Sequence, residues 1–163
     1  MQKDAANDLD AFDLQILARY QHDTRRTAEI IGAEIGLSAA AVQRRLKRLR
    51  ETGVVEAETA RISPKAVGFP LTCVISVDIE REGAAELSRF KARMLGCPEV
   101  QQCYYVTGDA DFIVVVLAPD MTAYETFTRE HLLIDPNVRS FTTHVVMERV
   151  KTGVSVPLPS SES

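Results

Sequence analysis

Two groups of residues in this 163-residue chain have the types and spacing that chemistry needs. The first is VTGDADF, residues 106–112, which sets Gly108 beside two carboxylates, Asp109 and Asp111. Glycine lets a ligand come close to backbone N–H groups, and those groups can receive a carboxylate. A nearby aspartate can accept a charge-assisted hydrogen bond from an ammonium group. Together they would serve the two ends of a free amino acid, with Asp111 favoured over Asp109 as the ammonium partner. The competing reading is a plain two-residue hairpin turn, Gly then Asp, whose aspartates bond their own backbone or water. The second group is Arg44, Arg45, Lys47, Arg48 and Arg50, with Gln43 beside them. Cations on a helix face grip phosphate, and glutamine can hydrogen-bond an adenine edge in the major groove. Against this stands a solvated basic face with no partner.

Charge distribution favours the phosphate reading more than the net charge of −4 does. Residues 1–62 carry ten basic and ten acidic side chains, and residues 63–163 carry nine and thirteen, so the acidic excess lies wholly in the second part. A local basic stripe can therefore bind nucleic acid on a chain that is acidic overall. Other chemistries find little support. His22, His131 and His144 form no ligand pair at helical spacing, and Cys73, Cys97 and Cys103 suit neither a disulfide framework nor a zinc site. The cysteines read as buried small hydrophobes in a reducing compartment. No metal or other cofactor is expected. No apolar run approaches bilayer length, and the N-terminal MQKDAANDLD is polar and acidic, which argues against a membrane partner or a secretory signal. The expected location is cytoplasmic.

The elements that must position these residues change period along the chain. DAFDLQILARYQH predicts a helix capped by Asp10, with Ile16, Leu17 and Tyr20 on one side. TAEIIGAEIG predicts a short helix from about Thr27 to Gly36, although Gly32 inside it costs about 1 kcal/mol against alanine. A third helix follows, with Ser38 as its N-cap, Val42, Leu46 and Leu49 as its apolar stripe, and Gly53 as its end. VVEAETARI predicts a short hairpin or wing, and SPKAVGFP, residues 63–70, a linker. From Leu71 the period becomes two. LTCVISVDIE turns Cys73, Ile75, Val77 and Ile79 to one face. A helix with Leu87, Phe90, Met94 and Leu95 toward a core, strands VQQCYYV and DFIVVVLA, a helix over MTAYETFTREHLL and a strand over VRSFTTHVVMERV complete the order.

The expected fold class is α+β. A winged helix-turn-helix domain (1–62) is joined by a linker (63–70) to a ferredoxin-like βαββαβ domain (71–152), with a flexible tail (153–163). FIVVVL is apolar on both faces, whereas helices cover only one side of such a sheet. The uncovered side calls for a second copy of the chain. In the helix-turn-helix, Ala40, Gln43, Arg44, Lys47 and Arg48 fall outside the apolar stripe, with Arg45 and Arg50 at its edges. Small residues at the helix start, Ser38 and Ala39 to Ala41, allow close approach to base edges.

LDAFDLQIL, IGLSAAAVQRRLKRLRETGVV, VTGDADF and VVMERVK together resemble, in that order, the Lrp/AsnC family of bacterial and archaeal transcription regulators. The resemblance spans roughly residues 8–152. It implies a sequence-specific regulator of double-stranded DNA whose binding or assembly responds to an amino acid or related metabolite. It further implies a homodimer assembling to a tetramer or octamer, in a prokaryotic, nucleoid-associated setting. The recognition helix maps onto residues 38–52, with Gln43, Arg44, Arg45, Lys47 and Arg48 at its DNA-proximal positions. Family members often carry proline or threonine where this chain has Ala39, Ala40 and Ala41, which leaves the base preference open. The effector site maps onto Thr107, Gly108, Asp109, Ala110 and Asp111, with Tyr104 and the THVVM stretch contributing. His144 stands where an aromatic is frequent, a departure that bears on ligand choice or pH sensitivity. The alternative, an enzyme on a ferredoxin-like scaffold using Asp109 and Asp111 as an acid–base pair with Tyr104 or His144 assisting, leaves the basic helix without a purpose.

Overall fold

The computed structural model describes residues 9–81 and 83–159. These divide into two units, residues 9–60 with 151–159, and residues 61–150.

The first unit is built on three helices, α1 (Ala11–Tyr20), α2 (Ala28–Ile35) and α3 (Ala39–Glu51). Each starts on the side chain that the sequence pointed to. Asp10 accepts from the Asp13 N–H while Asp13 accepts from the Asp10 N–H, a reciprocal box. Thr27 caps α2, and Ser38 caps α3 through the Ala41 N–H. Ile16, Tyr20, Ala28, Ile31, Ile35, Val42 and Leu46 close a small core. The turn between α2 and α3 needs two glycines. Gly36 takes the left-handed conformation at φ +74°, open to glycine without strain. Gly32 is buried where a Cβ would lie 2.4 Å from the Leu37 carbonyl oxygen, and its own carbonyl receives the Leu37 N–H at 2.9 Å. The residue that weakens α2 by propensity is thus what lets the turn fold back over it.

Two expectations for this unit fail. Residues 54–62 pair no strand, so the hairpin or wing predicted there is absent from the structure. Glu58 in that segment instead accepts from Tyr20 Oη at 2.5 Å and Arg50 Nε at 2.7 Å. Side-chain anchoring to α1 and α3 replaces a backbone ladder. The tail expected to be loose makes a definite contact over its described part. Val156 donates its N–H to Gln21 Oε1 at 2.9 Å and accepts from Gln21 Nε2 at 3.2 Å. Residues 1–8 and 160–163 of the expected domain and tail lie outside the described residues.

The second unit runs β1 (Leu71–Ile79), α4 (Ala84–Leu95), β2 (Val100–Tyr105), β3 (Phe112–Ala118), α5 (Met121–Thr128) and β4 (Val138–Val145), preceded by a single 3-10 turn at Lys65–Val67. The sheet is antiparallel throughout with order β2-β3-β1-β4, the ferredoxin-like arrangement. Cys73, Ile75, Val77, Ile79, Phe112, Val114 and Val116 form its buried face, closed by Phe90 and Met94 of α4 and Tyr124 and Phe127 of α5. Leu95 corrects an expectation. It is 88% exposed, because Phe90 and Met94 stand four apart on the buried side of α4 and Leu95 lies a further 100° around. The last strand also stops at Val145, short of the predicted Val150.

The cross-strand register defines the opposite face. Tyr104, Ile113, Ser76 and Thr142 make one row, and Gln102, Val115, Val74 and His144 the next. No helix of this unit packs over these rows in the register of the buried face, and their centre is apolar. That is the uncovered surface the two-faced apolar strand foretold.

Candidate DNA-binding face and effector loop

On α3, Ala40, Gln43, Arg44 and Lys47 are exposed on one helical face opposite the buried Val42, Leu46 and Leu49, and Arg50 and Glu51 are exposed toward its C-terminal end. Arg44 makes no ion pair among the described residues. Lys47 lies 3.7 Å from Glu51 with both side chains largely in solvent, a pair that holds Lys47 weakly. Ser38, also exposed, spends its hydroxyl on capping the helix.

Arg45 and Arg48 differ from these. Arg45 Nη1 donates to Asp13 Oδ1 at 2.9 Å and to Asp10 Oδ2 at 2.7 Å, and Arg48 Nη2 donates to Asp13 Oδ2. Asp13 is fully buried. Its hydrogen bond is the main reason that the Arg45 guanidinium is held even more firmly protonated than usual. Burial raises the Asp10 carboxyl, but the hydrogen bonds it accepts from the Asp13 N–H and Arg45 outweigh this and bring it below the ordinary aspartate range. The sequence placed Arg45 and Arg48 among the DNA-proximal cations, whereas the structure fastens them to α1. Arg50 is likewise tied to Glu58 and Tyr20. Tyr20, first in effect through its hydrogen bond, and Arg50 hold the Glu58 carboxyl low. Sequence reading missed the roles of Asp13 and Glu58. The one available signal for Asp13 was its position three residues after a capping aspartate.

The candidate effector loop is longer than a two-residue turn. Val106 donates its N–H to the Asp111 carbonyl at 2.9 Å, which leaves residues 107–110 as the connection. The Asp111 N–H reaches across to the Val77 carbonyl at 3.0 Å. Its carboxylate Oδ2 accepts from the Ile79 N–H at 2.7 Å, beside the irregularity in β1 at Asp78 and Ile79. Asp111 therefore holds the loop onto β1. Thr107, Gly108 and Asp109 are exposed and Ala110 is half-buried. Gly108 has φ +123° with open space where a Cβ would be, so its conformation and not crowding demands glycine.

Tyr104 lies on the same hairpin as this loop, on edge strand β2, while His144 lies on β4 at the other edge. Three strand spacings, roughly 14 Å, separate those edges. One chain thus groups Tyr104 with Thr107 to Asp111 and leaves His144 apart from them. A separate apolar hollow of about 240 Å³, lined by Pro64, Phe69, Pro98 and Leu117 among others, includes none of the candidate effector residues.

Residues 9–50 match the model of the AsnC-type helix-turn-helix domain, and residues 72–156 match that of the Lrp/AsnC ligand binding domain. The chain belongs to the Lrp/AsnC family. It is 47% identical to the HTH-type transcriptional regulator y4tD of Sinorhizobium fredii, over 96% of this chain and 92% of that protein. It is 32% identical to the leucine-responsive regulatory protein of Salmonella typhimurium, over 91% of each. Among solved structures, a transcriptional regulator of Neisseria meningitidis in complex with L-Met superposes with a TM-score of 0.85 at 31% identity, covering 91% of this chain and 96% of that one. Membership of the family makes the chain a DNA-binding transcription regulator with a ligand-sensing domain. Among the described residues no helix is long and apolar enough to cross a membrane.

Proposed function

We propose that the exposed face of α3 is the DNA-reading surface and that the Gly108 loop is the effector site, completed by another copy of the chain. Gln43 and Arg44 reach base edges in the major groove, Lys47 takes a phosphate, and Ala40 lets the helix end come close. The observation that carries this reading is the partition on α3. Among the described residues Arg44 has no ion pair and Lys47 only a weak one, whereas Arg45, Arg48 and the exposed Arg50 are held by Asp10, Asp13 and Glu58.

The effector is a free amino acid or close relative, as the L-Met complex of the Neisseria meningitidis regulator encourages. Its carboxylate meets backbone N–H groups at Thr107 to Ala110, and Asp109, whose carboxylate is exposed, takes the ammonium group. Asp111, favoured on sequence, positions the loop through the Ile79 N–H. His144 and Tyr104 lie on opposite edges of one outer face, so they come together only if two sheets meet. We accordingly read the protein as a homodimer built on that face, assembling further to a tetramer or octamer. A regulator uses both regions. An enzyme built on Asp109 and Asp111 would leave the exposed cations of α3 idle and would draw on a carboxylate already committed to backbone.

The test is a titration of the twenty amino acids against the protein bound to DNA from upstream of its own gene, with an Asp109→Ala variant beside it. One or a few amino acids should shift the wild-type complex, and the variant should bind the same DNA without that response. An unchanged response in the variant would remove Asp109 from the site.

A further inference from the structure

We propose that Asp13 is a specificity-determining residue for DNA, acting as a positioning residue that withholds Arg45 and Arg48 from the phosphate backbone. This rests on the reading of α3 as the DNA face. Asp13 sits in the first turn of α1, fully buried, with Oδ1 taking Arg45 Nη1 at 2.9 Å and Oδ2 taking Arg48 Nη2. Its Oδ2 also accepts the Asp10 N–H at 3.2 Å, and Asp10 Oδ2 takes the same Arg45 Nη1 at 2.7 Å. Among the described residues, two guanidiniums thus meet the two carboxylates of Asp10 and Asp13 at the edge of α3 facing α1. The Arg45 guanidinium also lies 5.6 Å from the centre of the Phe12 ring, a second hold on its direction.

The consequence concerns discrimination more than affinity. A cation that reaches phosphate binds every DNA sequence alike, and each such contact deepens the salt dependence. Pairing removes Arg45 and Arg48 from that sequence-blind term. Asp10, half exposed, further repels a phosphate approaching Arg45. What remains is the face with Gln43 and Arg44, where base edges are read. The same pairs fix the rotation of α3 about its axis, so that this face and no other is presented.

The experiment compares binding of the full chain to a duplex selected for tight binding and to a scrambled duplex, by fluorescence anisotropy across a range of salt. Asp13→Asn keeps the shape of the side chain and removes its charge. With the fold intact by circular dichroism, it should raise affinity for the scrambled duplex and lower the selected-to-scrambled ratio about tenfold. Its plot of log affinity against log salt should steepen by about one to two per helix, near 0.9 for each added phosphate contact. An unchanged ratio and slope, or an equal loss on both duplexes at unchanged slope, would overturn the proposal and leave Asp13 as part of the fold alone. If Asp13→Asn does not fold, Asp10→Ser decides. It retains a capping hydroxyl and frees one hold on Arg45, so a steeper slope supports the proposal and an identical slope overturns it. A third arm, Arg44→Gln with Lys47→Gln, separates the layers. Weakened binding there beside an unaltered Asp13→Asn sinks the inference alone, and undiminished binding there sinks the reading of α3 as well.

Discussion

The face of α3 and the loop at Gly108, the two regions we propose carry this regulator's function, are finished to different degrees within one chain. On α3 the caps, the apolar stripe and the ion pairs all come from residues of one small unit, and together they dictate which side chains face outward. At the Gly108 loop the chain supplies a backbone frame and one exposed carboxylate, while His144 sits across the sheet. A surface that meets a large, regular polymer can be completed locally. A pocket that encloses a small molecule needs walls on several sides, and in the proposed dimer a second copy supplies them.

The largest effect should come from reversing the two outward cations. Arg44→Glu with Lys47→Glu is expected to cut DNA affinity at least about a hundredfold, as two attractions per helix become repulsions. The mass in light scattering should stay unchanged. Loss of assembly in that variant would make the face structural. Next, Val115→Asp places a charge at the centre of the uncovered sheet face, where Val115 pairs with Val74 and Gln102. Burying it between two sheets without a partner is prohibitive. The variant should therefore sediment as a monomer and keep its far-ultraviolet spectrum. A mass equal to wild type would place the interface elsewhere.

Gly32→Ala should destabilise the helical unit by about 1–3 kcal/mol, because the new methyl meets the Leu37 carbonyl and the turn must shift. Thermal denaturation measures it, and a melting point equal to or above wild type would show that helix propensity outweighs the contact. The smallest effect belongs to Glu58. Its carboxyl titrates lower in the folded chain than the ordinary 4.5, held first by the Tyr20 hydrogen bond. The stabilisation it gives is thus complete above that value and fades as pH falls through the lower, folded one. As pH falls from above 4.5 through the lower, folded value, Glu58→Gln should lose less melting temperature than wild type, by a modest amount because the group is more than a third exposed.

How much of this the sequence carries follows from the range of the interactions. Asp10 and Ser38 could be named as caps, and Thr27 as the start of a helix, because a cap bonds three residues onward. The alternation of Cys73, Ile75, Val77 and Ile79 reports one buried face directly. The extent of the loop at Gly108 was legible from the flanking apolar runs, but the role of Asp111 was not, because its N–H finds its partner on β1, thirty-four residues away, and no local rule contains that bond. The segment 54–62 alternates like a strand, yet Glu58 bonds Tyr20 and Arg50 in place of a paired backbone. Arg45 and Arg48 looked like free cations for the same reason. Their partner, Asp13, lies more than thirty residues earlier, and only packing α1 against α3 reveals it. Gly32 was legible as a cost and became intelligible once the Leu37 carbonyl was seen lying over it.

The most direct test of the central claim, that the α3 cations left unpaired or only weakly paired within the protein are those that meet DNA, is the salt dependence of binding in two single variants. Lys47→Gln should flatten the plot of log affinity against log salt by about 0.9 per helix, and Arg45→Gln should leave its slope at the wild-type value. Equal flattening by both would contradict the account, since it would mean that Arg45 leaves Asp13 to contact phosphate.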